Sequence, residues 1–168
     1  MKKYELIKED FKEFLGIKVY RIRYIADGSL GGYVESEKNL AQVGDAQVSG
    51  DAWVYGNARV YGDAWVSGDA RVYGDARVYG NAQVYRDAWV SQANEILMIG
   101  PIGSRNAMLS AFYDKDKQLL VSTGCFIGTI TEFEKQVKSV HAGTQHSKDY
   151  FDAIKFIKSK MGRVKLGG

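Results

Sequence analysis

A single arginine, Arg105, stands in a segment suited to close approach, Gly100-Pro101-Ile102-Gly103-Ser104-Arg105-Asn106. Glycine lets a backbone come near a bound group, and a guanidinium can fork onto a phosphate or carboxylate. Gly103, Ser104, Arg105 and Asn106 are therefore candidate ligand-binding residues. The segment is not a P-loop, because the closing Gly-Lys-Ser/Thr is missing and no helix follows. The plainer alternative is a tight hairpin with a solvated arginine. A second stretch, Thr123-Gly124-Cys125-Phe126-Ile127-Gly128-Thr129, leads toward a predicted helix. Its amides, with those of the helix N-terminus, could hold an anion.

Cys125 is the one cysteine of the chain. With His141 or His146 it invites a nucleophile reading. A lone cysteine between apolar residues is more often buried and inert. The pair His141 and His146 looks faintly like a metal site, but it straddles an interhelix loop and no further Cys or His joins it, so no metal is expected. Cys125, His141 and His146 are kept as ligand-binding candidates beside Arg105, with the histidines as hydrogen-bonding residues. No catalytic residue and no cofactor is assigned.

The charge of the chain narrows the partners. A net charge of +3 is too small to argue for specific nucleic-acid binding. From Asn94 onward there are 11 Lys/Arg against 7 Asp/Glu. Lys148, Lys155, Lys158, Lys160, Arg163 and Lys165 all follow Ser147, as a solvated helix face or as a surface for an anion. One cysteine allows no internal disulfide, which fits a reducing cytoplasm. The first residues lack the apolar core of a signal peptide, and no apolar run approaches the ~18 residues of a membrane helix. The expectation is a protein of the bacterial host cytoplasm, with no membrane partner.

The elements that must position these residues begin with a repeat. Valine recurs every six residues from Val48 to Val90, alanine stands two residues before each, and Gly-Asp or Gly-Asn precedes the alanine, with Arg86 the one exception among the glycines. In a strand Ala-x-Val-x, alternate side chains point the same way, so Ala and Val face inward. Gly-Asp and Gly-Asn supply the turn. Three such units close a triangular coil of 18 residues. Eight units give fewer than three coils, a short prism that needs caps.

The same spacing fixes which outward side chains stack. Trp53, Arg71 and Trp89 form one column, Arg59 lies on Arg77, Tyr55 on Tyr73, and Tyr61 on Tyr79. A Trp-Arg-Trp ladder allows cation–π contact. So large an aromatic surface on so small a prism usually marks an interface. Trp53, Tyr55, Tyr61, Arg71, Tyr73, Tyr79 and Trp89 are therefore expected at an oligomer interface, in a homotrimer built through the prism.

Three segments follow: residues 1–43 as an N-terminal β cap, 44–93 as the β-helix and 94–168 as an α+β recognition domain. In the cap, Lys18–Ile25 alternates as a strand does, and Val43, out of register with the repeat, marks its end. In the last segment, Glu95–Ile99, Ala107–Tyr113 and Gln118–Thr123 read as strands. Thr131 with Glu134 reads as a capping box for a helix through about Val140. A second helix runs from about Ser147 to Met161, with Phe151, Ile154, Ile157 and Met161 inward.

The repeat resembles the hexapeptide-repeat proteins in its aliphatic-plus-small pattern, which implies a left-handed parallel β-helix. The lead-in Leu30-Gly31-Gly32-Tyr33-Val34-Glu35-Ser36-Glu37-Lys38-Asn39-Leu40 resembles that of a hexapeptide-repeat, "polymer-forming" family of phage and prophage genomes. Residues from Ile99 to Tyr150 resemble a module found after such repeats, whose chemistry is unsettled. The fold expected is mainly β: a short left-handed β-helix, an N-terminal β cap and a C-terminal β-β-β-α-α domain. Many hexapeptide proteins are acyltransferases that use coenzyme A and a histidine on or beside the prism. Here the repeat holds no His and no insertion. The function expected is non-catalytic. In a phage setting the C-terminal domain would bind an anionic, nucleotide-like small molecule, a signal of host immunity, and sequester it. Inhibition of a host defence complex by direct protein binding is the nearest alternative, and a coenzyme-A-dependent acyltransferase is the alternative from the enzyme class.

Overall fold

The computed structural model describes residues 2–163, and Lys165 of the basic tail lies outside them. β1 (Tyr4–Phe14) and β2 (Ile17–Tyr24) form an antiparallel hairpin, and β3 (Leu30–Val34) pairs with β2. Eight two-residue rungs follow: β4 (Gln47–Val48), β5 (Trp53–Val54), β6 (Arg59–Val60), β7 (Trp65–Val66), β8 (Arg71–Val72), β9 (Arg77–Val78), β10 (Gln83–Val84) and β11 (Trp89–Val90). They pair in parallel, residue n with n+18, as β4-β7-β10, β6-β9 and β5-β8-β11. The result is a three-sided parallel β-solenoid of about three coils. Every repeat Ala and Val from Ala46 to Val90 is buried inside it. Backbone bonds such as Gln47 N to Ala64 O (2.8 Å) and Arg71 N to Ala88 O (2.7 Å) tie each coil to the next.

The parallel pairing begins before residue 44. Tyr33 and Val34 pair with Trp53 and Val54, and Leu40 bridges Val60. Val34 and Leu40 are inward residues of the first coil, six apart, as the repeat requires. Two extra residues then separate Leu40 from Val48, and Val43 is expelled to 78 % exposure. Without the Gly-Asp-Ala signature this coil was not recognisable as a repeat. Asn39 replaces part of that signature, since its Nδ2 donates to the carbonyls of Gly56 and Ala58 at 3.0 and 2.9 Å.

Each end of the prism is closed by another element. At the start, Tyr4 is fully buried and its hydroxyl donates to Leu40 O at 2.7 Å. At the far end, the carboxylate of Glu95 accepts from Ser91 N, Ser91 Oγ and Gln92 N and turns the chain out of the solenoid. The antiparallel sheet β12 (Ile96–Ile102), β13 (Ala107–Tyr113), β14 (Leu119–Thr123) and β15 (Phe126–Thr129) then lies over the last coil. Ile96, Phe112 and Leu120 join the solenoid core. Alternate residues Leu109, Ala111, Tyr113 and Val121 face the other way, onto α1 (Ile130–Val140) and α2 (Gln145–Met161). Ser122 Oγ donates to Gln83 O, and Met108 N donates to Asn81. Among the described residues no helix is long and apolar enough to cross a membrane.

Three local expectations change. The first strand runs on to Ile102, so Gly100-Pro101-Ile102 is strand and not loop. Phe126–Thr129 is a fourth strand, making the domain β-β-β-β-α-α. The capping box uses Thr129 and Glu132, not Thr131 and Glu134. Both pairs fit Thr-x-x-Glu; the earlier one wins because strand β15 ends there, and Glu134 instead meets Lys138 and Lys158.

The corners dictate a first prediction. Gly62 has φ +72°, and a Cβ there would lie 3.0 Å from Gly80 N. Gly62→Ala should lower the unfolding free energy by at least roughly 1–2 kcal/mol, the cost of a left-handed L-residue, with the coil contact adding to it. Arg86 adopts φ 61° at the last corner of its column, before another coil could lie over it. Arg86→Gly should therefore be neutral or stabilising. Urea unfolding of both variants checks this, and a fully stable Gly62→Ala would refute the corner packing.

A second prediction concerns alkali. Burial pushes the Tyr4 hydroxyl far above its ordinary value, and burial also raises Tyr24 and Tyr113. The folded state thus holds these protons more tightly than the unfolded chain. Their stabilisation is complete below pH of about 10, the free tyrosine value, and is lost as pH rises from there through the raised values. Denaturant midpoints should fall as pH rises above about 10. Tyr4→Phe should flatten part of that slope while costing roughly 1–3 kcal/mol at pH 8, for the carbonyl left without its donor.

Candidate ligand-binding cleft

Two hairpin tips and one helix corner converge on the far side of the C-terminal sheet. The β12–β13 tip is a tight turn in which Asn106 N donates to Gly103 O at 3.1 Å, with φ +73° at Gly103 and 47° at Asn106. Gly103 packs on α2: a Cβ there would fall 2.0 Å from the Tyr150 hydroxyl. The β14–β15 tip carries Gly124 and Cys125. The helix corner carries His141, the C-cap of α1.

Between them lies an open cleft of about 480 Å³. Its floor is apolar and aromatic, with Phe126, Phe133, Val137 and Tyr150. The Phe126 and Phe133 rings are 5.1 Å apart, and Tyr150 meets Phe133 edge-on at 5.3 Å. Around the floor stand the polar residues Ser104, Arg105, Cys125, Gln136 and His141, the exposed apolar Val140 and the buried Thr123. Arg105 Nη1 donates to Cys125 Sγ at 3.2 Å. A thiol sulfur is a weak acceptor. Among the described residues no carboxylate pairs with Arg105, so its charge stays available at the cleft mouth. The His141 ring lies 5.5 Å from Tyr150.

Four of the predicted residues, Ser104, Arg105, Cys125 and His141, are brought together here. Gly103, Asn106 and His146 instead line a neighbouring recess of about 400 Å³ with Gly100, Pro101 and Asp149. The His141 and His146 rings are 6.3 Å apart, edge to face. Cys125 is exposed, contrary to the buried, inert cysteine expected, because a hairpin tip has no layer above it. The helix N-terminus holds a carboxylate of its own: Glu132 accepts from Thr129 N and Oγ1, and Glu132 N donates back to Thr129. Its carboxyl is held below the usual range by those bonds.

Sequence reasoning missed Tyr150, Gln136 and Val140. A signal was present: Phe133, Gln136, Val137 and Val140 follow i, i+3, i+4, i+7, so Gln136 interrupts an apolar helix stripe, and Val140 ends it exposed.

The outward columns are placed as their spacing requires. Arg71 lies over Trp53 at 4.7 Å and Trp89 at 5.3 Å. Tyr55 stacks on Tyr73 at 5.0 Å, and Tyr61 on Tyr79 at 5.4 Å. The chain's own β1–β2 hairpin curls over the Trp-Arg-Trp column, with Lys12 above Trp53 and Phe14 above Arg71. In α2 and just beyond it, Lys155 pairs with Asp152, Lys158 with Glu134, and Arg163 donates to Ser159.

Residues 52–68, 70–86 and 76–92 match the model of the YdcK Beta solenoid repeat. The chain is a β-solenoid repeat protein. All three matched segments lie in the prism, so the similarity covers the scaffold and not the cleft. No curated protein and no solved structure matches the chain.

The exposed thiol gives a third prediction. The folded protein should take up one equivalent of a maleimide or disulfide reagent without denaturant. Labelling only after unfolding would contradict the placement of Cys125.

Proposed function

We propose that the C-terminal domain binds an anionic small molecule with an aromatic portion, without turnover, and that the solenoid presents this domain. The observation that carries the reading is an unpaired guanidinium, Arg105, at the mouth of a cleft floored by Phe126, Phe133 and Tyr150. A phosphate would meet the planar fork, and a flat ring would lie on the aromatic floor. A nucleotide combines both groups. In the phage setting that the Leu30–Leu40 lead-in implies, the ligand is a nucleotide signal of host immunity, and its sequestration blocks a defence response in the host cytoplasm. A trimer built through the prism would hold three clefts together.

A second reading has its own observation. Phe14, Leu15, Ile17, Tyr55, Tyr73 and Trp89 line an apolar groove at the hairpin tip, with Leu15 85 % exposed. Such a patch suits a protein partner or another copy of the chain.

Calorimetry with linear and cyclic nucleotides tests the first reading. Arg105→Ala should weaken binding by roughly 1.5–3 kcal/mol, the worth of a hydrogen bond to a charged group. Lysine should rescue poorly, since it lacks the fork. Cys125→Ser should leave binding intact, whereas a nucleophilic role would lose activity. Native mass spectrometry of protein from phage-infected cells reports stoichiometry and retained ligand together. A host protein held stoichiometrically with no nucleotide bound would replace this reading by the protein-inhibitor one, and consumption of acetyl-coenzyme A would replace both by an enzyme.

A further inference from the structure

The outward columns of the solenoid treat charge differently. Arg71 is held among the rings of Trp53, Trp89 and Phe14, the last at 5.4 Å. Arg59 and Arg77 occupy the same repeat position on the next face, directly opposite each other in the parallel pair β6–β9. Both are exposed. Among the described residues no carboxylate and no ring pairs with either. Neighbouring strands lie about 4.8 Å apart, and like charges set directly opposite destabilise a sheet. Of the nearby acids, Glu37 pairs with Lys2 at 2.8 Å and Asp75 accepts from Asn57 at 3.2 Å, and neither bonds an arginine. Glu37, Lys38, Gln42 and Tyr61 join the arginines around a recess of about 330 Å³, with the Glu37 carboxylate paired to Lys2. Two residues beyond each arginine, on the same side of the strand, Tyr61 and Tyr79 stack with ring planes 14° apart. These rings remain 37 % and 41 % exposed.

We propose that this face of the solenoid is a second binding site, for a phosphate-bearing small molecule with an aromatic ring, separate from the C-terminal cleft. The guanidiniums of Arg59 and Arg77 fork one phosphate between them, which cancels their mutual repulsion. Lys38 adds a third positive charge. The ring of the ligand continues the Tyr61–Tyr79 stack. Residues i and i+2 of a strand are about 6.6 Å apart, a span of the order of that between phosphate and base in a nucleotide. The core behind this face is Val60, Val78 and Leu40, so outward substitutions leave the fold in place.

The test uses the full chain carrying Arg105→Ala, which removes the cation of the other cleft, with inorganic pyrophosphate and adenosine diphosphate as probes at low ionic strength. Calorimetry should show pyrophosphate bound, and Arg59→Gln or Arg77→Gln should weaken it roughly ten- to hundred-fold, as expected for losing a charge-assisted fork. Adenosine diphosphate should bind more tightly than pyrophosphate, and Tyr61→Leu should erase that margin alone. Pyrophosphate should raise the melting temperature of the Arg105→Ala protein but not of its Arg59→Gln derivative. The proposal is overturned if neither probe binds, or if both glutamine variants, still folded by thermal unfolding, bind as before. It is equally overturned if Arg59→Gln dissociates an oligomer and leaves pyrophosphate affinity unchanged. Loss of binding only through Arg105 would support the C-terminal cleft and sink this site, so the two fail separately.

Discussion

At each corner that another coil covers, the chain must turn within a few atoms of that coil. Rungs of two residues leave no length for a wider loop, so the backbone enters the left-handed region once per side. Where a Cβ would stand at Gly62 or Gly68, the next coil's backbone nitrogen is only 3.0 or 2.9 Å away. Backbone hydrogen bonds between coils set the coil spacing, glycine permits it at the corners, and the spacing sets everything built on it. It brings Ala and Val into layers narrow enough to exclude water, and it aligns outward residues in columns 18 apart.

A prism closed on its sides is still open at its ends, and its ends determine the rest of the molecule. The apolar rim of the last coil is an unfinished core. The C-terminal sheet completes it with Ile96, Phe112 and Leu120. Alternation then forces Leu109, Ala111, Tyr113 and Val121 to the opposite face, which must be covered in turn by α1 and α2. The helices cover the body of the sheet and meet the β12–β13 tip only at Gly103 on Tyr150, leaving the exposed Cys125 of the β14–β15 tip uncovered. The cleft lies where that cover stops, between the tips and the α1–α2 corner. Its position therefore follows from the need to cap the solenoid.

Much of this was legible in the sequence because the period is strict. The inward residues and the outward columns both follow from one six-residue phase. The first coil was not legible, since Val34 and Leu40 keep the spacing but lack Gly-Asp-Ala, and the two-residue insertion hides their phase. In the C-terminal domain, local patterns left real choices. Thr129-x-x-Glu132 and Thr131-x-x-Glu134 are equally good capping boxes by type, and only the end of β15 selects between them. Arg105, Cys125 and His141 could be named as types. That Gly103, Asn106 and His146 would line a separate recess depends on how the hairpin sits against Tyr150, a contact between distant segments.

The arginines show how the scaffold separates stability from recognition. Arg59, Arg71 and Arg77 hold the same place in the repeat and add nothing to the core, whose inward residues are Ala and Val throughout. What differs is the phase within the coil. Arg71 falls in the column that holds Trp53 and Trp89 and lies under the β1–β2 hairpin, so its charge is spread over rings. Arg59 and Arg77 fall one side further round, directly opposite each other. A guanidinium pair without counter-charge is costly in an isolated sheet and tolerable on one whose stability comes from elsewhere. Here the interior and the corners hold the fold, so the outward position can carry residues that a free-standing sheet would reject. The same division applies to Arg105, whose hairpin is fixed by Gly103 on Tyr150 and needs nothing from the arginine itself.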